Sequence, residues 1–446
     1  MWRRSGNPAS MVAGPFVLCI NPWVYDFAAH DFFARPLGLL QVAAALRGQG
    51  FRVALVDCTS RPPGSLGPRG RWPKEILPTP APLLGVPRRY GRYGLSPLQV
   101  REALTALPEP PAAVLVTSLM TYWYPGVQAT IALVREQFPT PPVILGGIYA
   151  TLLPEHARAH SGADYVLPGP RIEPLRALLA DLTGFAGEAG ARDEDHCPYP
   201  AWDLLPDKRL LPLLTSKGCP FHCEYCASRL LQPQVRRRQP EEVFAELQYW
   251  HRRFGVQEVA FYDDALLVAA EDHLLPLLEK VVAATLPCRF HTPNALHLGL
   301  ITPEVARWLR RANFATIRLG LETAAVGPAR RDQKVQAGDL ERAVANLRAA
   351  GFQPAEIGVY LLLGLPQQED GEVVDAIALV RRLGATPVLA QYSPIPGTAL
   401  WPEAVRSSRY DLEADPLFQN NSIFPCWPEF SWERYTRLKN LAAGRA

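Results

Sequence analysis

Lys217-Gly218-Cys219-Pro220-Phe221-His222-Cys223-Glu224-Tyr225-Cys226 is the stretch from which the chain is best read. Cys219, Cys223 and Cys226 stand in it as C-x3-C-x2-C. Cysteine thiolates ligate iron–sulfur clusters, and three this close can hold three irons of a [4Fe–4S] cluster. No fourth cysteine lies nearby, so one iron keeps an open position for a small chelating ligand. Zinc is the rival occupant. Structural zinc sites have four ligands, often as two closely spaced pairs. His222 is the one neighbour able to complete such a set, and it abuts Cys223 in poor geometry.

The apolar run from Leu210 to Ser216 reads as a strand, so the cysteines follow a strand directly. An alternating series continues from there. Strands are expected at Glu258 to Tyr262, Arg289 to Thr292, Thr316 to Leu321, Glu356 to Leu363 and Pro387 to Tyr392. Helices fall between them, from Glu241, Glu271, Pro303, Leu340 and Glu372 onward. Thr302-Pro303-Glu304 supplies a cap, an N1 proline and an acid, while Gly351 and Gly384 stop two helices. Six βα units are too few for a closed eight-stranded barrel and suit a partial (βα)6 TIM-like barrel over 210–400. Its reactive groups belong at the C-terminal strand ends. Polar residues recur there: Tyr262-Asp263-Asp264, Thr292-Pro293-Asn294, the ion-pair-capable Arg318 and Glu322, and Ser393 to Thr398.

Toward the N-terminus, strands are expected at Phe16 to Ile20, Arg52 to Asp57, Ala112 to Ser118, Pro142 to Gly147 and Ala163 to Leu167. Helical patterns separate them. Strands alternating with helices give a parallel sheet covered on both faces, so 14–185 reads as a doubly wound, Rossmann-like α/β domain. Residues 61–96 interrupt it with a Pro-, Gly- and Arg-rich segment of no clear period. Connectors this long are normally functional or disordered. The segment reads either as a solvated loop or as a wrap over the second domain using Trp72, Tyr90, Arg92 and Tyr93. Residues 186–209 read as a linker. The tail, 401–446, is aromatic and loop-like, with Trp427, Phe430, Trp432 and Tyr435 set either over a barrel mouth or in a short helix on its side.

Bulk properties narrow the classes. The chain has 446 residues and a net charge of +3, which gives no electrostatic case for nucleic acid. No run reaches the ~18 apolar residues of a membrane span. Two arginines near the N-terminus precede no apolar h-region, which points to the cytoplasm. Cys19, Cys58, Cys197, Cys288 and Cys426 are scattered, unlike a secreted disulfide framework; Cys19, Cys58 and Cys288 read as buried fillers.

The cysteine phrase resembles the signature of the radical S-adenosylmethionine (SAM) superfamily. The resemblance implies that the amino and carboxylate groups of S-adenosyl-L-methionine fill the open iron. It also implies that Tyr225 lies near the adenine. Asp264, Asn294, Arg318 and Glu322 join the SAM or substrate site at the strand ends. The implied chemistry is one-electron cleavage of SAM to a 5′-deoxyadenosyl radical, which takes hydrogen from an unactivated carbon. An external one-electron reductant, such as a flavodoxin or ferredoxin, is then required.

The first domain resembles the cobalamin-binding domain fused ahead of the barrel in a large radical SAM subfamily. The matching pieces are Arg35 to Leu40, Val116 to Leu119, Val143 to Gly147 and Leu167 to Gly169. Leu37, Gly38, Thr117, Ser118, Gly146, Gly147 and Gly169 are the positions this resemblance assigns to cobalamin. One departure stands out: there is no D-x-H-x-x-G, since Asp26 and His30 are wrongly spaced. The cobalt then has no protein His ligand, the cofactor has been lost, or the fold binds something else. The expected activity is cobalamin-dependent methylation of an unactivated carbon in a small molecule of unstated class. Alternatives are a cobalamin-independent or non-methylating radical enzyme and, further off, an iron–sulfur electron carrier.

Overall fold

A computed structural model describes residues 14–30, 33–61, 72, 74–187, 199–325, 330–427 and 429–445. Near the N-terminus, β1 (Phe16–Asn21), β2 (Arg52–Asp57), β3 (Ala113–Val116), β4 (Val143–Leu145) and β5 (Tyr165–Val166) form a parallel sheet. Its order is β2-β1-β3-β4-β5. Alternate residues of β1 serve opposite faces. Leu18 and Ile20 pack with Val127 and Ile131, whereas Val17 and Cys19 pack with Leu39 and Leu179. Those partners lie on α3 (Tyr124–Gln137) on one side and on α1 (Leu37–Gly48) and α4 (Glu173–Thr183) on the other. With α2 (Pro97–Thr105) they complete a three-layer α/β domain. A strand buried on both faces reads as a continuous apolar run, as β1 does. The strand order reverses between β1 and β3, where ligands of such folds bind beyond the carboxyl ends.

Where it is described, the segment 61–96 is more than a plain loop. Lys74–Ile76 and Gly91–Tyr93 pair antiparallel with Val24–Asp26 as a three-stranded ribbon. Trp72 and Tyr93 pack on Val24 and Ala29 of their own domain. Leu83 and Tyr90 instead join Phe27, Leu417 and Ile423, and Arg88 donates to the Ser422 carbonyl at 3.1 Å. The segment therefore grips the C-terminal tail. Residues 62–71 and 73, and 188–198 of the expected linker including Cys197, lie outside the described residues.

The second sheet has six parallel strands: β6 (Leu210–Leu213), β7 (Glu258–Phe261), β8 (Arg289–His291), β9 (Phe314–Glu322), β10 (Ile357–Leu363) and β11 (Thr386–Gln391). Each pairs with its sequence neighbours, so the strand order is the chain order. The connecting helices are α5 (Pro240–Phe254), α6 (Leu274–Ala283), α7 (Pro303–Arg311), α8 (Asp339–Ala349) and α9 (Asp370–Arg382). Thr302 accepts from the Val305 amide at 3.1 Å, capping α7 ahead of Pro303. Phe261, Phe290 and Phe314 on adjacent strands stack at centroid distances of 5.4 to 5.7 Å. Truncating one such buried ring to Ala typically costs ~3–5 kcal/mol.

α10 (Trp432–Ala443) settles the tail. It packs against α9 and β11, on the barrel's side, and Gln391 donates to the Tyr435 hydroxyl at 3.0 Å. An open barrel leaves an edge strand, and such edges are commonly covered by a helix. Phe424, Trp427 and Phe430 cluster beside this helix and merge with the barrel core. No described helix is long and apolar enough to cross a membrane.

Candidate active site

The cysteine loop is held by a carboxylate one strand away. Asp263, just beyond β7, accepts from the Thr215 amide (3.1 Å), the Ser216 amide (2.5 Å) and both hydroxyls (2.7 and 2.6 Å). Burial pushes its pKa up, and these donors oppose that. His273 meets the Thr215 hydroxyl at 2.6 Å from behind. Asp263 is thus committed to shaping the turn that leads into the cysteines, which leaves its neighbour Asp264 as the acid of the pair with an electrostatic reach to Cys219. Gly218 sits at φ +79, and a Cβ there would lie 2.5 Å from the Gln234 carbonyl. Only glycine tolerates that conformation and that approach together.

Cys219 and Cys223 are half-buried and Cys226 is exposed. Burial pushes the Cys223 thiol up to about 11, against the lowering effect of the Lys334 charge. A bound metal reverses this and holds the sulfur as thiolate. The loop is pinned from both sides: the Glu224 amide donates to the Arg331 carbonyl (2.9 Å) and the Leu400 amide to the Glu224 carbonyl (2.9 Å). Among the described residues no three His, Cys, Asp or Glu side chains gather to hold a single ion.

Beside Cys223 lies a buried charged group. Glu322 pairs with Lys334 at 3.3 Å, their side chains 10% and 9% exposed. Arg330 pairs with Asp332 at 3.0 Å and donates to the carbonyls of Leu321, Thr323 and Ala325. The Tyr225 hydroxyl donates to Asp332 at 3.4 Å; burial, then the charge of Glu322, pushes its pKa up. Burial likewise raises the pKa of Glu322, with Lys334 opposing. Glu322 adopts φ +66 at a register shift in the β9–β10 pairing. Bulges of this kind re-aim side chains next to active sites. His297 stacks on Phe221 at 4.3 Å, with its Nδ1 buried and unpartnered among the described residues. Burial and the Lys334 charge lower its pKa to about 4, so the imidazole is neutral at pH 7.

The expected Arg318–Glu322 pair does not form. Lys334 takes Glu322, and Arg318 lies against Tyr360 and Gly358 instead. Asn294 is exposed and donates to the Tyr262 carbonyl at 2.8 Å, tying the ends of β7 and β8 together. Asp332, Lys334, Arg330 and His297 were missed in the sequence. The signal was the run Arg330-Arg331-Asp332-Gln333-Lys334, which returns to the site after β9.

In the first domain the expected cofactor positions divide. Leu37 is buried in the barrel core cluster with Leu40 and Trp202, so its side chain has no open surface to offer. The Ser118 hydroxyl donates to the Gly146 carbonyl at 2.6 Å. A Cβ on Gly147 would meet the Ser118 carbonyl at 2.3 Å; its size is set by loop packing. A Cβ on Gly38 or on Gly169 would face open space, and Thr117 is half-buried next to Ser118. Leu119 and Met120, just past β3, are 41% and 44% exposed. The carboxyl ends of the two sheets meet: the Arg35 amide donates to the Tyr262 hydroxyl (3.2 Å), and the helix Ile148–Leu152 touches Ser228–Leu231 behind Cys226.

Residues 213–380 match the Radical SAM superfamily. The likeness to that superfamily runs from the end of β6 through most of α9. Among curated relatives, an uncharacterized methyltransferase of Pyrococcus horikoshii is 28% identical over 260 residues, 53% of this chain and 50% of that protein. The hopanoid C-2 methylase of Rhodopseudomonas palustris is 24% identical over 314 residues, 65% of this chain and 58% of the methylase. A cytidylyl-2-hydroxyethylphosphonate methyltransferase of Streptomyces wedmorensis is 21% identical over 464 residues, 89% of this chain and 83% of its own. The chain spans about half the length of the first curated relatives it matches. The radical SAM methyltransferase TsrM of Kitasatospora setae, solved with cobalamin and a [4Fe–4S] cluster, superposes with a TM-score of 0.66 at 16% identity, covering 96% of this chain and 91% of TsrM. The fold of this chain, across both sheets, is therefore similar to that of TsrM.

Proposed function

We propose that this protein is a cobalamin-dependent radical SAM methylase acting on an unactivated carbon of a small molecule. One observation carries the proposal. Cys219, Cys223 and Cys226 lie where the open strand ends of an α/β domain meet the mouth of the barrel. Cys219, Cys223 and Cys226 would hold the cluster. Tyr225, Asp264, Arg318 and Glu322 would line the SAM side, joined by Lys334, Asp332 and His297, with Asn294 bracing the strand ends. Gly38, Thr117, Ser118, Gly146, Gly147 and Gly169, with exposed Leu119 and Met120, would form the cobalamin side. When bound, the cluster and SAM would supply one-electron cleavage of a C–S bond, and cobalamin a transferable methyl group.

The chain's own part is placement. Glu322 and Lys334 present paired charges in a site shielded from water, where each acts more strongly on a polar ligand than it would in solvent. A buried ion pair is weak evidence of stability in itself, which fits retention for binding. An external one-electron reductant is part of the proposal. The test is anaerobic incubation of reconstituted protein with SAM and titanium(III) citrate. Formation of 5′-deoxyadenosine, together with corrin absorption bands in the purified protein, supports the reading. A loaded cluster with no SAM cleavage, or protein that takes up no cobalamin, would count against it.

A further inference from the structure

The cysteine loop is flanked by an exposed basic ridge that the site does not use. Across 217–239 the cations are Lys217, Arg229, Arg236, Arg237 and Arg238, against the single acid Glu224. Glu224 pairs with Arg331, and Arg238 with Glu246. Among the described residues Lys217, Arg229 and Arg237 have no ion-pair partner. Arg229, Arg236 and Arg237 are exposed and Lys217 is half-buried.

The geometry concentrates this charge. Ser216–Lys217 pairs antiparallel with Arg236–Arg237, and Lys217 stands directly opposite Arg236. Like charges facing each other on a ladder destabilise it, by up to ~1 kcal/mol. The ridge also carries exposed apolar points: Val235 is 41% exposed and Leu230 is 44% exposed. Exposed apolar side chains interspersed in sequence with exposed cations are compatible with an interface. Its position is telling, because a Cβ on Gly218 would lie 2.5 Å from the Gln234 carbonyl, so the ridge runs beside the residue that precedes Cys219. Electron transfer rates fall steeply with distance, so a donor protein must dock close to these sulfurs.

We propose that Lys217, Arg229 and Arg236–Arg237 form the docking face for a small acidic one-electron carrier protein. The inference rests on the cluster assignment above. In the transfer the carrier loses one electron, the cluster gains one, and no bond is made or broken. Charge complementarity of this kind speeds encounter, and its effect is screened by salt. Electron-transfer encounters also need only a small contact area.

The test uses full-length reconstituted protein and the variant Arg236→Glu/Arg237→Glu. With photoreduced flavodoxin at low ionic strength, reduction of the cluster in the variant is expected to slow by ~10-fold or more, and the gap to close as salt rises. Titanium(III) citrate should reduce both proteins equally. Titration of the cluster-free chain with oxidised flavodoxin gives a second readout, in which the variant's Kd should rise by a similar factor. Equal flavodoxin rates and affinities in the two proteins would overturn the proposal. So would lost oligonucleotide binding beside unchanged flavodoxin affinity, which would assign the ridge to nucleic acid. Failure of the parent protein to load a cluster would instead count against the proposed function.

Discussion

Gly218→Ala tests whether the turn before the first cysteine is as constrained as its geometry implies. The residue sits at φ +79, and the added Cβ would stand 2.5 Å from the Gln234 carbonyl and 3.2 Å from that of Gln232. A left-handed conformation costs a residue bearing a Cβ ~1–2 kcal/mol. Relieving the contact requires the segment at Gln234 to retreat by most of an ångström, which weakens the short Ser216–Lys217/Arg236–Arg237 ladder at ~1 kcal/mol per hydrogen bond. The total is ~2–4 kcal/mol, or ~5–10 °C in the melting temperature of a domain this large. Calorimetry of the cluster-free chain reads that loss. Iron content after anaerobic reconstitution reads the displacement of Cys219, and should fall below the parent value. Gly371→Ala is the control: it lies in α9 with nothing within 4 Å of the added Cβ, and should be neutral or stabilising by up to ~1 kcal/mol. A Gly218→Ala protein with the parent's melting temperature and full iron loading would refute the reasoning.

Lys334→Met strands a buried Glu322 and should cost ~3–5 kcal/mol in denaturant unfolding. The double variant with Glu322→Gln should recover most of it, giving a double-mutant cycle with a clear coupling energy. Asn420→Ala removes the donor to Asp26 (2.9 Å) and the acceptor of the Ser422 amide (2.7 Å). It should cost ~2–3 kcal/mol and raise hydrogen exchange in 415–427 and in the ribbon at 91–93. His273 titrates from a pKa lowered to about 4 by burial and the Arg237 charge, so the folded state favours the neutral ring. Its contribution to stability is complete above pH 6.5 and is lost as pH falls toward 4, at no more than ~1.4 kcal/mol per pH unit. Chemical denaturation from pH 7 to 4.5 should show the decline, and His273→Gln should flatten it.

Both parallel sheets could be read in the sequence because most of their strands are short apolar runs, the central ones buried on two faces. Arg52-Val-Ala-Leu-Val-Asp57 and Phe16-Val-Leu-Cys-Ile20 announce themselves as short apolar runs between helical patterns. The ribbon Val24–Asp26, Lys74–Ile76 and Gly91–Tyr93 could not be read, since three-residue strands carry no period. α10 was one of two readings of the aromatic tail, whose rings cluster with one another and carry no clear period. In the site, strand-end residues were visible because they adjoin the strands that hold them. Lys334 was not, because it reaches Glu322 from twelve residues downstream in a loop. Leu37 and Gly147 also serve the fold itself: Leu37 packs in the barrel core cluster, and Gly147 lets its loop approach Ser118.

The central claim is that three sulfurs hold a cluster with one iron free for SAM. Anaerobic reconstitution followed by EPR of the reduced protein, with and without SAM, tests it most directly. The account predicts about four irons and four sulfides per chain, a signal that changes when SAM is added, and loss of both in Cys223→Ala. Bound zinc in place of iron, or a cluster signal indifferent to SAM, would contradict it.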